Sequence, residues 1–170
     1  MPVQQLKDYL DIEQIPYLSV KHSPAYTAQE IAKRAHIKGN QLAKTVIVTI
    51  DGSMAMIVLP ASCRIRWDRF TKSMGTDFIE LADEEEFQDR FPDCEVGAMP
   101  PFGNLFDMDV YLYDDLAKNE EIAFSAGSHS EIIKMRFDDY KTLAQPTLLS
   151  EGFVNPDTRM PDWMCKRKVG

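Results

Sequence analysis

"GNQLAKTVIVTIDGSMAMIVLPA", residues 39–61, is the stretch on which the fold reading turns. Residues 44–50 and 54–59 read as two apolar strands joined by "DGS" at 51–53, a strong hairpin signal. Side chains alternate along a strand, so residues 44, 46, 48 and 50 share one face. Lys44 therefore stands with Val46, Val48 and Ile50. An ammonium in that company is costly to desolvate unless an anion or a strong acceptor meets it.

Working outward, residues 3–13 predict a short helix with Val3, Leu6, Leu10 and Ile12 facing inward. "PYLSVKH" reads as a strand. "TAQEIAKRA" opens with a capping box, Thr27 as N-cap and Glu30 three residues on, and carries an apolar stripe of Ala28, Ile31, Ala32 and Ala35. "WDRFTKSMG" is a short helix stopped by Gly75. A strand at 78–80 turns helical from about Asp83, with acids crowding the first turn. "GAMPPFGNLF" is too punctuated by Pro and Gly for regular structure. "MDVYLYDDL" gives a strand and a turn, "EIAFSAGSHSEIIKMRF" a strand, tight turn and strand, and "DDYKTLA" a last short helix. Neighbouring strands are mostly joined by short turns rather than helical crossovers. The pattern predicts an α+β domain with a mixed or mainly antiparallel sheet over residues 1–144. From Gln145 to Gly170 the chain has no period and reads as a tail that wraps the domain or is partly disordered.

The 170 residues, 44% hydrophobic and 10% aromatic, suit one globular domain with a real core. No apolar run approaches the ~20 residues of a membrane helix. The N-terminus is amphipathic and bears acids, unlike the basic-then-apolar order of a signal peptide. Cys63, Cys94 and Cys165 are odd in number and far apart, which argues against a disulfide framework. The expectation is a cytoplasmic protein with no membrane partner. A net charge of −8 argues on its face against nucleic acid, but the distribution is uneven. Lys33, Arg34, Lys38, Lys44, Arg64, Arg66, Arg69 and Lys72 face only Asp51 and Asp68 within their own stretch, whereas acids dominate from Asp77 to Glu121. Such a chain can show one basic face to an anionic ligand; solvated surface of both signs is the plainer reading.

His22, His36 and His129 are scattered, and no Cys-x-x-Cys or His-x-x-x-His occurs, so neither a metal site nor a cofactor is expected. No glycine-rich phosphate loop is present. Three features remain: Lys44, the loop "GAMPPFG" at 97–103 and "AGSHSEI" at 126–132. Singly, each has a structural explanation: a snorkelling lysine, a chain-turning loop and a surface hairpin histidine.

Together they resemble the YbaK/prolyl-tRNA synthetase-associated domain. The resemblance runs over about residues 15–144 through "HSPAYTAQEIA", "LAKTVIV", "VLPA", "GAMPPFG", "DVYLYDDL" and "IAFSAGSHSEIIKM" in that order. It implies an α+β sheet curled into a partial barrel with helices packed around it. It also implies an aminoacyl-tRNA deacylase, a hydrolase that cleaves the ester of a misacylated tRNA in trans. The amino acid would be small, such as alanine or cysteine, and the tRNA that for proline. The partners implied are the acceptor end of that tRNA and an aminoacyl-tRNA synthetase. The family's functional lysine falls on Lys44, its glycine-proline loop on Gly97 to Gly103, and its later turn on Gly127, Ser128 and His129, the loosest match.

An aminoacyl ester is already activated, so its hydrolysis asks only for a placed water and charge stabilisation. Lys44 would meet a phosphate or the developing oxyanion. Backbone N–H groups of the loop Gly97–Gly103, in which Pro100 and Pro101 have none to donate, would hold the ester carbonyl or the amino acid, with Met99 and Phe102 as pocket walls. His129 would orient a water or bind the terminal ribose, and by the resemblance the substrate's own ribose hydroxyl assists. Lys33, Arg34, Lys38, Arg64, Arg66, Arg69 and Lys72 would contact the acceptor-stem phosphates. Two other readings stay open. One is a non-catalytic module of the same fold that binds tRNA, a synthetase or an aminoacyl derivative. The other is a hydrolase of another ester or thioester using Cys63 or Cys94.

Overall fold

A computed structural model describes residues 2–23, 28–90, 94–95 and 97–155. Helix α1 (Pro2–Ile12) leads into strand β1 (Tyr17–Lys21), then helix α2 (Ala28–Arg34). Leu6 and Leu10, four apart, are fully buried, but Ile12, expected inward, is 77% exposed. It lies two residues past Leu10, more than half a turn round the helix, where the core stripe has ended. The capping box proposed at Thr27 lies outside the described residues; Ile31 and Ala32 of α2 are buried.

Strands β2 (Leu42–Ile50) and β3 (Ser53–Pro60) form the predicted hairpin, with Ile50 opposite Ser53. Asp51 and Gly52 take φ of 48° and 88°, the two positive values that a primed hairpin turn requires. A short strand β4 (Arg64–Ile65) precedes helix α3 (Trp67–Met74). Gly75, at φ 73°, caps α3 by donating its N–H to the carbonyls of Thr71 and Lys72. Strand β5 (Ile79–Leu81), helix α4 (Glu84–Phe87) and strand β6 (Asp109–Tyr113) follow, then β7 (Glu121–Ser125), β8 (Glu131–Arg136) and helix α5 (Phe137–Ala144). Two short strands come after Gln145, β9 (Thr147–Leu149) and β10 (Phe153–Val154). The first part of the expected tail thus pairs with the domain, while residues 156–170 lie outside the described residues.

The main sheet runs β1-β8-β7-β2-β3-β6-β9, with β5 also on β2. It is mixed and mainly antiparallel, as expected. Its parallel pairs are β2 with β7, β3 with β6 and β6 with β9. The sheet is open, with β1 and β9 as its ends.

The alternation of side chains sorts the core onto two faces. On one, α1 and α5 pack with Ala43, Ile47, Met56, Val58, Leu112 and Phe124. The other face carries two separate clusters. Ile31 and Ala32 of α2 cover Leu42, Ala61, Ala123 and Ile132. Phe70 of α3 and Phe153 of β10 cover Val48, Ala55, Ile57 and Leu59. The seam between these clusters falls on β2 between Leu42 and Val46, which is the position of Lys44.

Candidate active site

Lys44 sits in β2 opposite Leu59, on the face predicted from alternation. It is half-buried, and among the described residues no carboxylate forms an ion pair with it. Burial holds its ammonium below the usual lysine range; Cys63 opposes that shift and the neighbouring charge of Arg64 adds to it. The edge of β2 is open beside it. Strand β7 pairs with Leu42 and Ala43, and β5 with Val48 to Ile50, so the stretch between has no strand partner on that edge among the described residues.

Into this gap come two loops that hydrogen-bond to each other. Glu95 N–H donates to the Gly127 carbonyl (2.9 Å), and Gly127 N–H donates to the Ala98 carbonyl (2.8 Å). Gly97 and Gly127 take φ of 86° and 100°, values that favour glycine. The His129 N–H donates to Glu95 Oε2 (3.0 Å), and its Nε2 lies 3.7 Å from the same oxygen. His129 is buried, and its Cε1 is 3.6 Å from where a Cβ on Gly97 would stand. A Cβ at 97 would only touch the imidazole at ordinary contact distance, so it is the positive φ rather than lack of space that calls for glycine here.

A small cavity of about 20 Å³ opens where β2 and the first loop meet. It is lined by Ile31, Leu42, Ala43, Lys44, Thr45, Gly97, Met99 and Ser125. Because it opens at a strand edge, residues that point to opposite faces of β2 reach it together. Lys44, Gly97 and Met99 are thus brought together, with His129 directly behind Gly97.

The rest of the "GAMPPFG" loop is placed differently. Phe102 is fully buried, with its ring edge-on to Tyr9, Phe124 and Tyr140, so it is a core residue and not a wall of this cavity. Pro100 and Pro101 are buried too, and the Pro101 carbonyl accepts the Tyr140 hydroxyl (2.7 Å). A Cβ on Gly103 would collide with the Met108 carbonyl and the Val110 side chain, which makes it a close-packing glycine. Ser128 Oγ lies 3.4 Å from Ser130 Oγ within its own turn. Lys33 and Arg34 lie in α2, Lys38 in the loop after it, Arg64 in β4, Arg66 next to α3, and Arg69 and Lys72 in α3. Both helices pack on the face that carries Lys44. Arg34 donates to Ser23 Oγ (2.8 Å), and Arg66 pairs with Asp68 (3.3 Å). Cys63 is buried in the α3 cluster and Cys94 is half-buried. No group of three or more His, Cys, Asp or Glu among the described residues is placed to hold a metal ion.

Sequence reasoning missed Ile31, Thr45, Ser125 and Glu95. Thr45 carried a signal, since it adjoins Lys44 at a strand end. Glu95 carried none, lying in a long acidic run that reads as solvated surface.

The profile of the aminoacyl-tRNA editing domain matches residues 22–143, which include Lys44, both loops and His129. A proline–tRNA ligase of Staphylococcus epidermidis is 25% identical over 138 residues, 74% of this chain. The chain spans only about a quarter, 24%, of that ligase's length. Among solved structures, one described as a candidate trans-editing enzyme for prolyl-tRNA synthetase superposes with a TM-score of 0.73 at 17% identity. It covers 87% of this chain and 94% of its own. A candidate signal-transduction protein of Marinobacter aquaeolei VT8 superposes with a TM-score of 0.69 at 15% identity, over 99% of this chain and 35% of its own. At those identities the structural matches speak for the fold. The profile match, over well more than half of the chain, places it in a family: the protein belongs to the aminoacyl-tRNA editing domain family.

Proposed function

We propose that the protein is a deacylase that hydrolyses the ester of a misacylated tRNA in trans, with a small amino acid such as alanine or cysteine on the tRNA for proline. The observation that carries this reading is Lys44, a half-buried cation without a carboxylate partner among the described residues, at the mouth of a cavity shared with Gly97 and Met99. A group so placed is supplied with its counter-charge by a ligand. Either a phosphate of the terminal nucleotide or the oxyanion that develops on the ester carbonyl provides it. The cavity of about 20 Å³ has room for about one water molecule, which matches a methyl or thiol group better than a long side chain.

The lining offers Lys44, Thr45 and Ser125 as polar side chains and no general base. Hydrolysis at this site therefore relies on positioning and charge stabilisation, with the ribose hydroxyl of the substrate helping to activate water. His129, held by Glu95 through its backbone, is the residue we assign to the ribose or to the water. The same lack of a base favours the second reading, a non-catalytic module that binds the aminoacylated end. The basic residues on the two sides of the Lys44 seam are assigned to the acceptor stem.

A panel of misacylated tRNAs, with Ala and Cys on the tRNA for proline among them, tests the proposal with wild type and Lys44→Ala. Specific deacylation that is lost on substitution supports it. Absence of turnover by the wild type on every member rejects the enzyme and leaves the binding module.

A further inference from the structure

The segment that follows the family match forms one wall of a second, larger cleft. Its volume is about 610 Å³, and it lies between α3 and residues 150–153. Arg69, Lys72 and Ser73 line it from the helix, and Ser150 and Glu151 from the other side.

The two walls are locked together. The Arg66 N–H donates to the Gly152 carbonyl at 2.7 Å. Gly152 takes φ of 100°, and a Cβ there would come within 2.9 Å of the Phe70 backbone, so the chain passes α3 closer than any side chain would permit. Phe153 packs edge-on to Phe70 and stacks on Tyr113 with ring centres 4.6 Å apart. Through β10 the same segment is the strand partner of β4, which carries Arg64.

The charges of the cleft are not cancelled internally. Arg66 is occupied by Asp68, but Arg69 and Lys72 are exposed and have no ion-pair partner among the described residues. Glu151 is the one carboxylate among the lining residues. Two spaced cations, with serine hydroxyls on both walls, fit successive phosphates of a polyanion. The cleft belongs to the α3 cluster, on the sheet face that holds Lys44. A nucleic acid whose end reaches Lys44 can thus continue along that face.

We infer that this cleft binds the sugar-phosphate backbone of tRNA away from the ester, and that residues 150–153 make it a built groove. The inference rests on the tRNA reading of the Lys44 site. Its test is equilibrium binding of uncharged tRNA, followed over a range of salt concentrations. The variants are Arg69→Ala/Lys72→Ala and Glu151→Gln, all at exposed positions, with thermal midpoints checked against wild type. Each phosphate contact adds roughly 0.7–0.9 to the log–log salt slope, so the double variant is expected to lower the slope by roughly 1 to 2 and to weaken binding about tenfold at low salt. Glu151→Gln is expected to tighten binding a few-fold. A short CCA trinucleotide, which would occupy only the Lys44 end, should bind wild type and the double variant alike. Unchanged tRNA affinity and slope in the double variant, or weaker binding by Glu151→Gln, overturns the inference. The readout is independent of hydrolysis. A cleft-dependent salt slope without turnover removes the deacylase and keeps the groove, and turnover with an unaltered slope does the reverse.

Discussion

Lys7 and Lys44 are both partly withdrawn from water, and only Lys7 is met by a carboxylate. Lys7 Nζ lies 2.7 Å from Glu131 Oε2, and Ser19 Oγ donates to the same oxygen at 2.6 Å. This cluster ties α1 to β1 and β8. Its residues are 24% and 12% exposed at the two charged side chains, so the pair is shielded and its geometry is good. Lys44 lies between two apolar clusters with no such partner among the described residues. The contrast suits two different uses: the first lysine holds elements together, and the second, on the function proposed above, meets its counter-charge in a ligand.

Substitution of Lys44 tests that distinction with the largest effect. Lys44→Ala is expected to lower deacylation of the best substrate by about 10²–10³-fold, the usual cost of removing one group that stabilises a developing oxyanion. Its thermal midpoint should stay level or rise, because a desolvated charge has been removed. A midpoint lowered by several degrees would make Lys44 a structural lysine like Lys7 and break the comparison.

Lys7→Ala should show the opposite pattern. It leaves Glu131 with Ser19 alone, a loss expected to cost about 1–3 kcal/mol of stability by chemical denaturation, while turnover below the unfolding transition is kept. The acid limb sharpens the test. Burial acts to raise the Glu131 pKa, but the hydrogen bonds from Lys7 and Ser19 and the charges of Lys7 and Lys21 outweigh it, so the net shift is downward. A carboxylate lowered in the folded state adds stability above its unfolded pKa and loses it as pH falls through the folded one. Wild type should therefore lose stability on acidification, and Lys7→Ala should lose less. An equal acid loss in both proteins would mean that Lys7 does not hold Glu131 down.

How much of this was legible follows from period and length. The hairpin at 42–60 was legible because its strands alternate over many residues and its turn carries Asp-Gly, and the same alternation put Lys44 on the correct face. The loop 97–103 has no period, so nothing in it separates Gly97 and Met99, at the cavity, from Phe102 and Gly103, which serve the core. Strands β9 and β10 are three and two residues long, too short to show alternation, and their partners β6 and β4 lie far back in the chain. Opposite charges segregated along the sequence could be noticed at once. That the basic stretch divides onto two helices on either side of Lys44 required the fold.

Ile31→Val removes one methylene from the cavity wall and should have a smaller effect. The stability cost of such a change is about 0.5–1.5 kcal/mol. Discrimination between alanine and the next larger amino acid should relax by up to about 1–3 kcal/mol, read as the ratio of kcat/KM values on the two aminoacyl-tRNAs. An unchanged ratio would detach the cavity from the substrate side chain and leave Lys44 serving only phosphate.

The alkaline limb carries the last and smallest effect, and its sign for stability is that of the acid limb, because both pKa values are lowered in the folded state. Burial lowers the Lys44 pKa below the ordinary 10.5, Cys63 opposes this, and Arg64 reinforces it. Activity that needs the ammonium should fall, after subtraction of uncatalysed ester hydrolysis, as pH rises through that lowered value. Stability should move the other way. Between the folded and unfolded pKa values the unfolded chain binds more protons, so stability rises with pH across that window. Lys44→Ala should flatten both trends, and Lys7→Ala should alter neither. If kcat/KM kept its level up to the ordinary lysine range, the charge on Lys44 would not be what burial has made it, and the contrast between the two lysines would reduce to one of position.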